Sequence, residues 1–405
     1  MRGFFSYSGF TLALFLSFSC SIVELGKFGN ADSDIWKGSS HNPAPGGSST
    51  PAKSSCYVTA VSYPDGYDWL RDEDRDAVRC SLVVFVDEVP RLKVPVGESR
   101  AVGADADLHR IMDGSLYSWS NSDDKTVVRR DGEVLFEYYS RESIRDVLLK
   151  DNDIYTLGVP SSGEGFSFRK NGETLFVRNS GYPFERLYQD DEKVGFSFCE
   201  VIKAAGPSTE RYYNVLDTNV VQVALRNDIQ RVWDVISVNS GILYLATLRG
   251  VSSPVLIRSD EIVGLSSPDS SSLLSFRFLP GGDGCYVETV GGSPAMTSYL
   301  WNGTKSVFKS VSGFTIFSCC IDEEGICGVL VPSLRTLPPK IFQNERIWSV
   351  PEGYWPMGTS VSAMVNGILC VGLSSLTGGR PALWKDGELH PLEINGYITG
   401  VYSVR

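Results

Sequence analysis

From Cys56 onward the chain is a succession of short apolar runs separated by brief polar breaks. In LWKDGELHPL, residues 383–392, an apolar run ending near Trp384 meets Asp386 and Gly387, and a second strand-like run follows. Asp and Gly tolerate the positive φ angles of a type I′ turn, so this pattern predicts a tight β-hairpin. The turn recurs in FVDEVP at Asp87, RRDGEV at Asp131, RKNGET at Asn171, VLDTNV at Asp217, RSDEIV at Asp260, LWNGTK at Asn302 and FQNERI at Asn344. Successive turns lie 40 to 46 residues apart. A unit of about 43 residues with one turn at constant phase fits four short strands.

Upstream of each turn lies another apolar run with an aromatic or Cys at matching phase: CYVTAV, LYSWS, IYTLG, FCEVI, LYLAT, CYVET, ICGVL and LCVGL. Each, except the first, follows a further apolar run across a short polar turn. One unit therefore reads as inner strand, Tyr/Cys strand, hairpin strand and outer strand, which is a β-propeller blade. The first unit lacks an inner strand, and the chain finishes on ITGVYSV with no partner after it. A carboxy-terminal strand that completes the first blade would close the ring and remove exposed sheet edges. The expectation is an all-β, eight-bladed propeller of four antiparallel strands per blade, over residues 55–405. Seven blades follow if the long first unit or the divergent VLDTNV unit is not a blade.

The last unit, ILCVGL with RPALWKDGELHPL and ITGVYSV, resembles the blade signature of uncharacterised propeller lipoproteins of gut Bacteroidota. Those repeat a Tyr-Val-x-Gly strand, a Leu-Trp-Lys-Asn-Gly hairpin and a closing Leu. LYLAT, SYLWNG and FRKNGE match in part. The resemblance implies a propeller in the bacterial envelope, and it carries no catalytic residues.

The amino terminus, MRGFFSYSGFTLALFLSFSCS, has Arg2 followed by an apolar run from about Phe10 to Phe18. That run is shorter than the roughly 20 residues a spanning helix needs, and it fits the core of a secretory signal over residues 1–20. Ser19 before Cys20 is similar to a lipoprotein cleavage box, which would make Cys20 the lipidated first residue; Phe18 departs from that box, and ordinary signal cleavage nearby is the other reading. Residues 21–54, rich in Ser, Pro and Gly, read as a flexible tether. The chain is expected to be exported and lipid-anchored at the bacterial outer membrane or in the periplasm.

A formal net charge of −11 argues against nucleic acid and against non-specific binding to anionic membrane surfaces. Nine Cys permit disulfides without showing them. Cys199, Cys285 and Cys370 fall inside apolar runs, where Cys commonly packs as a small hydrophobe. In FSCCIDEEGICGV, a two-residue turn at Glu323 and Glu324 would set Cys320 opposite Cys327, giving either a cross-strand disulfide or two buried thiols. With no C-x-x-C pair, structural zinc is not expected. No metal or other cofactor is expected.

Candidate chemistry is sparse. The three His are His41 in the tether, His109 in DADLHRI and His390 after the last hairpin; none has the surroundings of a nucleophile–base triad. Asp72, Asp74 and Asp76 alternate as in some calcium loops but lack the glycine and downstream Glu of such a loop, so a solvated loop is the simpler reading. The inner strands carry Arg145 in SIRDVL, Arg186 in FERLYQ, Arg231 in QRVWDV and Arg277 in SFRFLP. Converging guanidinium groups suit a carboxylate, sulfate or phosphate, although Glu185, Asp146 and Asp234 lie beside three of them and could pair instead. Tyr67 and Trp69 in the loop YPDGYDWLRDEDRD offer rings for a sugar or for packing the loop down. The expected function is non-catalytic binding of an anionic glycan, another carbohydrate or an envelope protein. The rival is a polysaccharide-active enzyme using two loop carboxylates, one with a raised pKa.

Overall fold

The computed structural model describes residues 53–404 apart from short internal stretches, the longest being 72–77, 99–108, 203–208, 266–272 and 279–285. The leader, Cys20, His41 and the tether as far as residue 52 lie outside the described residues, as do Asp72, Asp74, Asp76, Cys285 and the side chains of Glu185 and Arg277.

Among the described residues the strands form eight antiparallel sheets, numbered here in chain order. The fold is all-β and of β-propeller type. In the third sheet the inner strand Glu142–Lys150 is followed by Asp153–Pro160, Phe166–Lys170 and the outer strand Glu173–Arg178, each paired with the next. The second, fourth, fifth, sixth and seventh sheets repeat this meander, beginning at His109, Tyr182, Ile229, Leu273 and Phe314. The VLDTNV unit forms a full sheet, with Thr209–Leu216 paired to Asn219–Val223. In the eighth sheet the inner strand is split: Tyr354–Trp355 and Ser362–Val365 both pair with Ile368–Ser375.

The first sheet joins the two ends of the described chain. Ser55–Ser62 pairs on one side with Arg79–Val86 and on the other with the carboxy-terminal strand Gly396–Val404, which takes the inner position. Neighbouring sheets pack face to face, so a central strand is buried on both sides and reads as a nearly continuous apolar run. In Ser55–Ser62, Cys56, Val58 and Ala60 lie in one core with Ala363, Cys370 and Leu383 of the eighth sheet, whereas Val61 lies in another with Ile111 and Leu116 of the second. That split follows from the period of two along a strand. Six further clusters lie between successive pairs of sheets, one of them uniting Tyr155, Phe166 and Phe168 with Phe196 and Phe198.

Six of the eight expected hairpin turns are as the sequence predicts, and the other two, at Asp260 and Asn302, lie outside the described residues. Asp87, Asp131, Asn171, Asp217, Asn344 and Asp386 all have φ between 43° and 53°. Asp and Asn do more there than tolerate the left-handed conformation. The side chains of Asp87, Asp131, Asn171 and Asn344 accept hydrogen bonds from the amides of Cys56, Leu116, Ile154 and Ile326 at 2.8–3.0 Å, which ties each outer hairpin to the Tyr/Cys strand.

Candidate functional site

The inner strands are irregular in a repeated way. Register shifts fall between Ile144 and Asp146, Pro183 and Leu187, Val232 and Asp234, Leu273 and Ser275, and Ile316 and Ser318. A bulge inserts a residue and re-aims the side chains around it. Here it turns polar side chains toward the neighbouring sheet.

Asp146 shows the result. Its Oδ1 accepts the amide of Val147 at 2.9 Å and its Oδ2 accepts the amide of Leu187, on the next inner strand, at 2.8 Å. From the preceding sheet, Arg110 donates to Oδ1 at 2.9 Å and to the Val147 carbonyl at 2.9 Å. Two sheets further on the arrangement returns. Asp234 accepts the amides of Val235 and Phe278, each at 2.8 Å, and Arg186 reaches its Oδ2 at 3.3 Å and the Phe278 carbonyl at 3.2 Å. Ser318 continues the series with a hydroxyl contact to Ser362 at 2.8 Å. Between the first and second sheets, buried His109 meets Thr399 through Nε2 at 2.7 Å, and Thr399 in turn donates to Thr59. Burial lowers the His109 pKa from 6.5 to about 4, so the ring is neutral near pH 7.

This geometry divides the four predicted arginines. Leu187 directly follows Arg186 and Phe278 directly follows Arg277, so these two occupy equivalent steps of their strands. Arg186 is engaged by Asp234, the pairing weighed against ligand binding. Arg145 is the residue inserted at the third-sheet bulge and is exposed. Arg231 is also exposed and lays its guanidinium over the Trp233 ring, 4.1 Å from the centroid. Sequence reasoning missed Arg110, which extends the series to the second sheet; its only signal was an Arg in a short run after a long polar stretch.

The aromatic loop is packed inward. Trp69 is 1% exposed, stacks on Tyr63 and meets Tyr397 at a tilt, with Tyr67 beside Tyr63. Asn395 fastens the loop by donating to the carbonyls of Pro64 and Tyr67 at 2.7 and 2.9 Å. Trp69 therefore presents no ring to a sugar in this conformation. Beside the loop, between the first sheet and the connection that leads into Gly396–Val404, lies an open groove of about 530 Å³ lined by Tyr63, Asp65, Arg91, Lys93, Glu393 and Asn395, among others.

The buried carboxyl group of Glu142 is held in its charged form. Glu142, with a side chain 2% exposed, accepts hydrogen bonds from Arg169 at 2.8 Å, Ser167 at 2.6 Å and Ser140 at 2.8 Å. Burial alone would raise its pKa, but the Arg169 hydrogen bond and the two serines outweigh it and hold it below the usual range. That is opposite to what a glycosidase acid requires. His390 is half-buried and pairs with Glu88 at 2.9 Å. Cys320 and Cys327 face each other in register, with Cα atoms 5.4 Å apart and sulfurs in bonding contact.

No known family model and no curated protein matches the chain. Among solved structures it is similar to the dihydro-heme d1 dehydrogenase NirN in complex with DHE, at 10% identity and TM-score 0.49, over 85% of this chain and 74% of that one. It is also similar to the β-propeller domain of the Trilobed protease from Pyrococcus furiosus, at 11% identity and TM-score 0.39, over 78% and 88%. A third likeness is to the WD40 β-propeller domain of Doa1, at 13% identity and TM-score 0.35, over 79% and 94%. With TM-scores below 0.5, these superpositions carry no argument about what this chain does.

Proposed function

We propose that the protein is a closed, eight-bladed propeller, exported and lipid-anchored through Cys20, that binds an anionic group, such as the carboxylate or sulfate of an envelope glycan, at the arginines of its inner strands. What supports the closed ring is the seam: the pairing of Ser55–Ser62 with Gly396–Val404 and the core shared by the first and eighth sheets. What supports the compartment is the leader and the resemblance of the last blade. The single observation that carries the ligand class is that consecutive inner strands present Arg110, Arg145, Arg186 and Arg231 in a chain of net charge −11, with Arg145 and Arg231 exposed. In this account Asp146 and Asp234 hold Arg110 and Arg186 in place, while Arg145 and Arg231 meet the ligand. Cys320 and Cys327 form a disulfide in this account, in keeping with export.

The test is a thermal-shift screen of the purified chain against acidic, sulfated and neutral oligosaccharides and simple anions at two salt concentrations. Stabilisation by acidic ligands that fades with salt supports the reading. Equal stabilisation by neutral sugars, or none by any acidic ligand, refutes it.

A further inference from the structure

The seam between the eighth and first sheets brings two thiols together from opposite ends of the described chain. Cys56 lies in Ser55–Ser62 of the first sheet and Cys370 in Ile368–Ser375 of the eighth. Each is 1% exposed, and both belong to the core that joins these sheets. Both are free thiols, each bears on the protonation of the other, and Lys385 is paired in register with Cys370 on the neighbouring strand. Lys385 is itself held at the seam by Glu88 of the first sheet, which also receives His390. The seam carries further noncovalent ties: Asn366 exchanges two hydrogen bonds with the backbone of Ser54, at 2.7 and 2.9 Å, and Ser360 accepts the amide of Val401.

We infer that Cys56 and Cys370 are a redox latch, a dithiol that oxidises to a disulfide and covalently fastens the first sheet to the last. The inference rests on the closed ring proposed above and is independent of the ligand reading.

The chemistry is thiol–disulfide exchange with a small disulfide oxidant. The Cys370 thiolate attacks one sulfur of oxidised glutathione; the S–S bond breaks and one glutathione leaves as its thiolate. The Cys56 sulfur, deprotonated, then attacks the Cys370 sulfur of the mixed disulfide and expels the second glutathione. Two protein thiols and one oxidised glutathione become one protein disulfide and two reduced glutathiones, and the two thiol protons pass to the leaving groups. The polarity fits this order. Lys385 lies on the strand next to Cys370 and is paired with it in register, so it stays beside Cys370 when the seam opens and favours the Cys370 thiolate, whereas it reaches Cys56 only across the closed seam. Because both sulfurs are buried, exchange takes place while the seam is open, before the carboxy-terminal strand docks or during its transient release.

The experiment refolds the full chain in a glutathione redox buffer, blocks remaining thiols by alkylation and digests the product without reduction. Mass spectrometry then looks for a peptide linking Cys56 to Cys370, and hydrogen exchange reports on the amides of Gly396–Val404. The expected result is the linked peptide and, in a Cys320→Ala/Cys327→Ala background that removes the other disulfide, a thermal midpoint about 5 °C above that of the reduced protein, with loss of that increment in both Cys56→Ala and Cys370→Ala. Alkylated Cys56 and Cys370 together with protected Gly396–Val404 amides overturn the latch and leave the closed ring standing. Rapid exchange throughout Gly396–Val404 overturns both.

Discussion

Asp146 on the inner strand of the third sheet accepts a hydrogen bond from the backbone amide of Leu187 on the inner strand of the fourth, at 2.8 Å. The carboxylate thereby satisfies a main-chain donor of another sheet while its second oxygen holds Val147 and Arg110. Inner strands of neighbouring sheets are not hydrogen-bonded to each other as a ladder, so such side-chain ties set their spacing. The same tie from Asp234 to Phe278 indicates a device of the repeat and not an accident of one loop.

Replacing Asp146 with Ala strands the amides of Leu187 and Val147 and removes the partner of Arg110. An unsatisfied buried donor costs about 1–3 kcal/mol, so Asp146→Ala is expected to destabilise by about 2–4 kcal/mol in urea unfolding. Asp146→Asn, which keeps an acceptor oxygen, recovers part of that loss. Equal midpoints for Asp146→Ala and the parent protein would show that the tie contributes nothing.

His109 makes stability depend on pH. Its folded pKa is depressed from 6.5 to about 4, so below pH 6.5 the unfolded chain takes up a proton that the folded chain refuses. Stability is therefore complete above pH 6.5 and falls as the solution is acidified toward pH 4. At about 1.4 kcal/mol per pH unit, the contribution lost between pH 6.5 and 5 is about 2 kcal/mol. Unfolding curves of the parent and His109→Gln at pH 7 and pH 5 read this directly: the parent loses that increment and the variant does not.

Glu142 and Arg169 form a buried pair, with side chains 2% and 12% exposed. Removing one partner leaves the other charge buried alone, so Glu142→Leu and Arg169→Met are each expected to cost about 3–5 kcal/mol, and the double variant less than the sum. The folded pKa of Glu142 is lowered, so its stabilisation is present above the unfolded value and disappears as pH falls through the folded one. A double-mutant cycle by thermal unfolding measures the coupling; additive losses would show that the two charges act separately.

The repeat was legible because its turns are chemically constrained. Asp87, Asp131, Asn171, Asp217, Asn344 and Asp386 stand where positive φ excludes most side chains, so the period survives on the page even where the strands diverge. The seam was legible for a similar reason, since a first unit one strand short and a final unpaired strand have one economical solution. The inner-strand site was only half legible. An inserted residue shifts the alternation by one, so no pattern of period two could reveal that Asp146 turns sideways while Arg145 stays exposed. Trp69 was ambiguous because its burial depends on Tyr397, which arrives from the far end of the chain. That Cys56 and Cys370 share one core was hidden for the same reason.

The central claim is that exposed inner-strand arginines receive an anionic group, and calorimetric titration of the full chain with a sulfated oligosaccharide and its desulfated counterpart tests it most directly. The account predicts binding of the sulfated form alone, weakening with added salt, and at least about tenfold weaker in Arg145→Ala/Arg231→Ala, equivalent to about 1.4 kcal/mol. Both side chains are exposed, so that variant is expected to remain folded, with a cooperative unfolding transition. Equal affinity for the two oligosaccharides, or undiminished binding by the double variant, would contradict the claim.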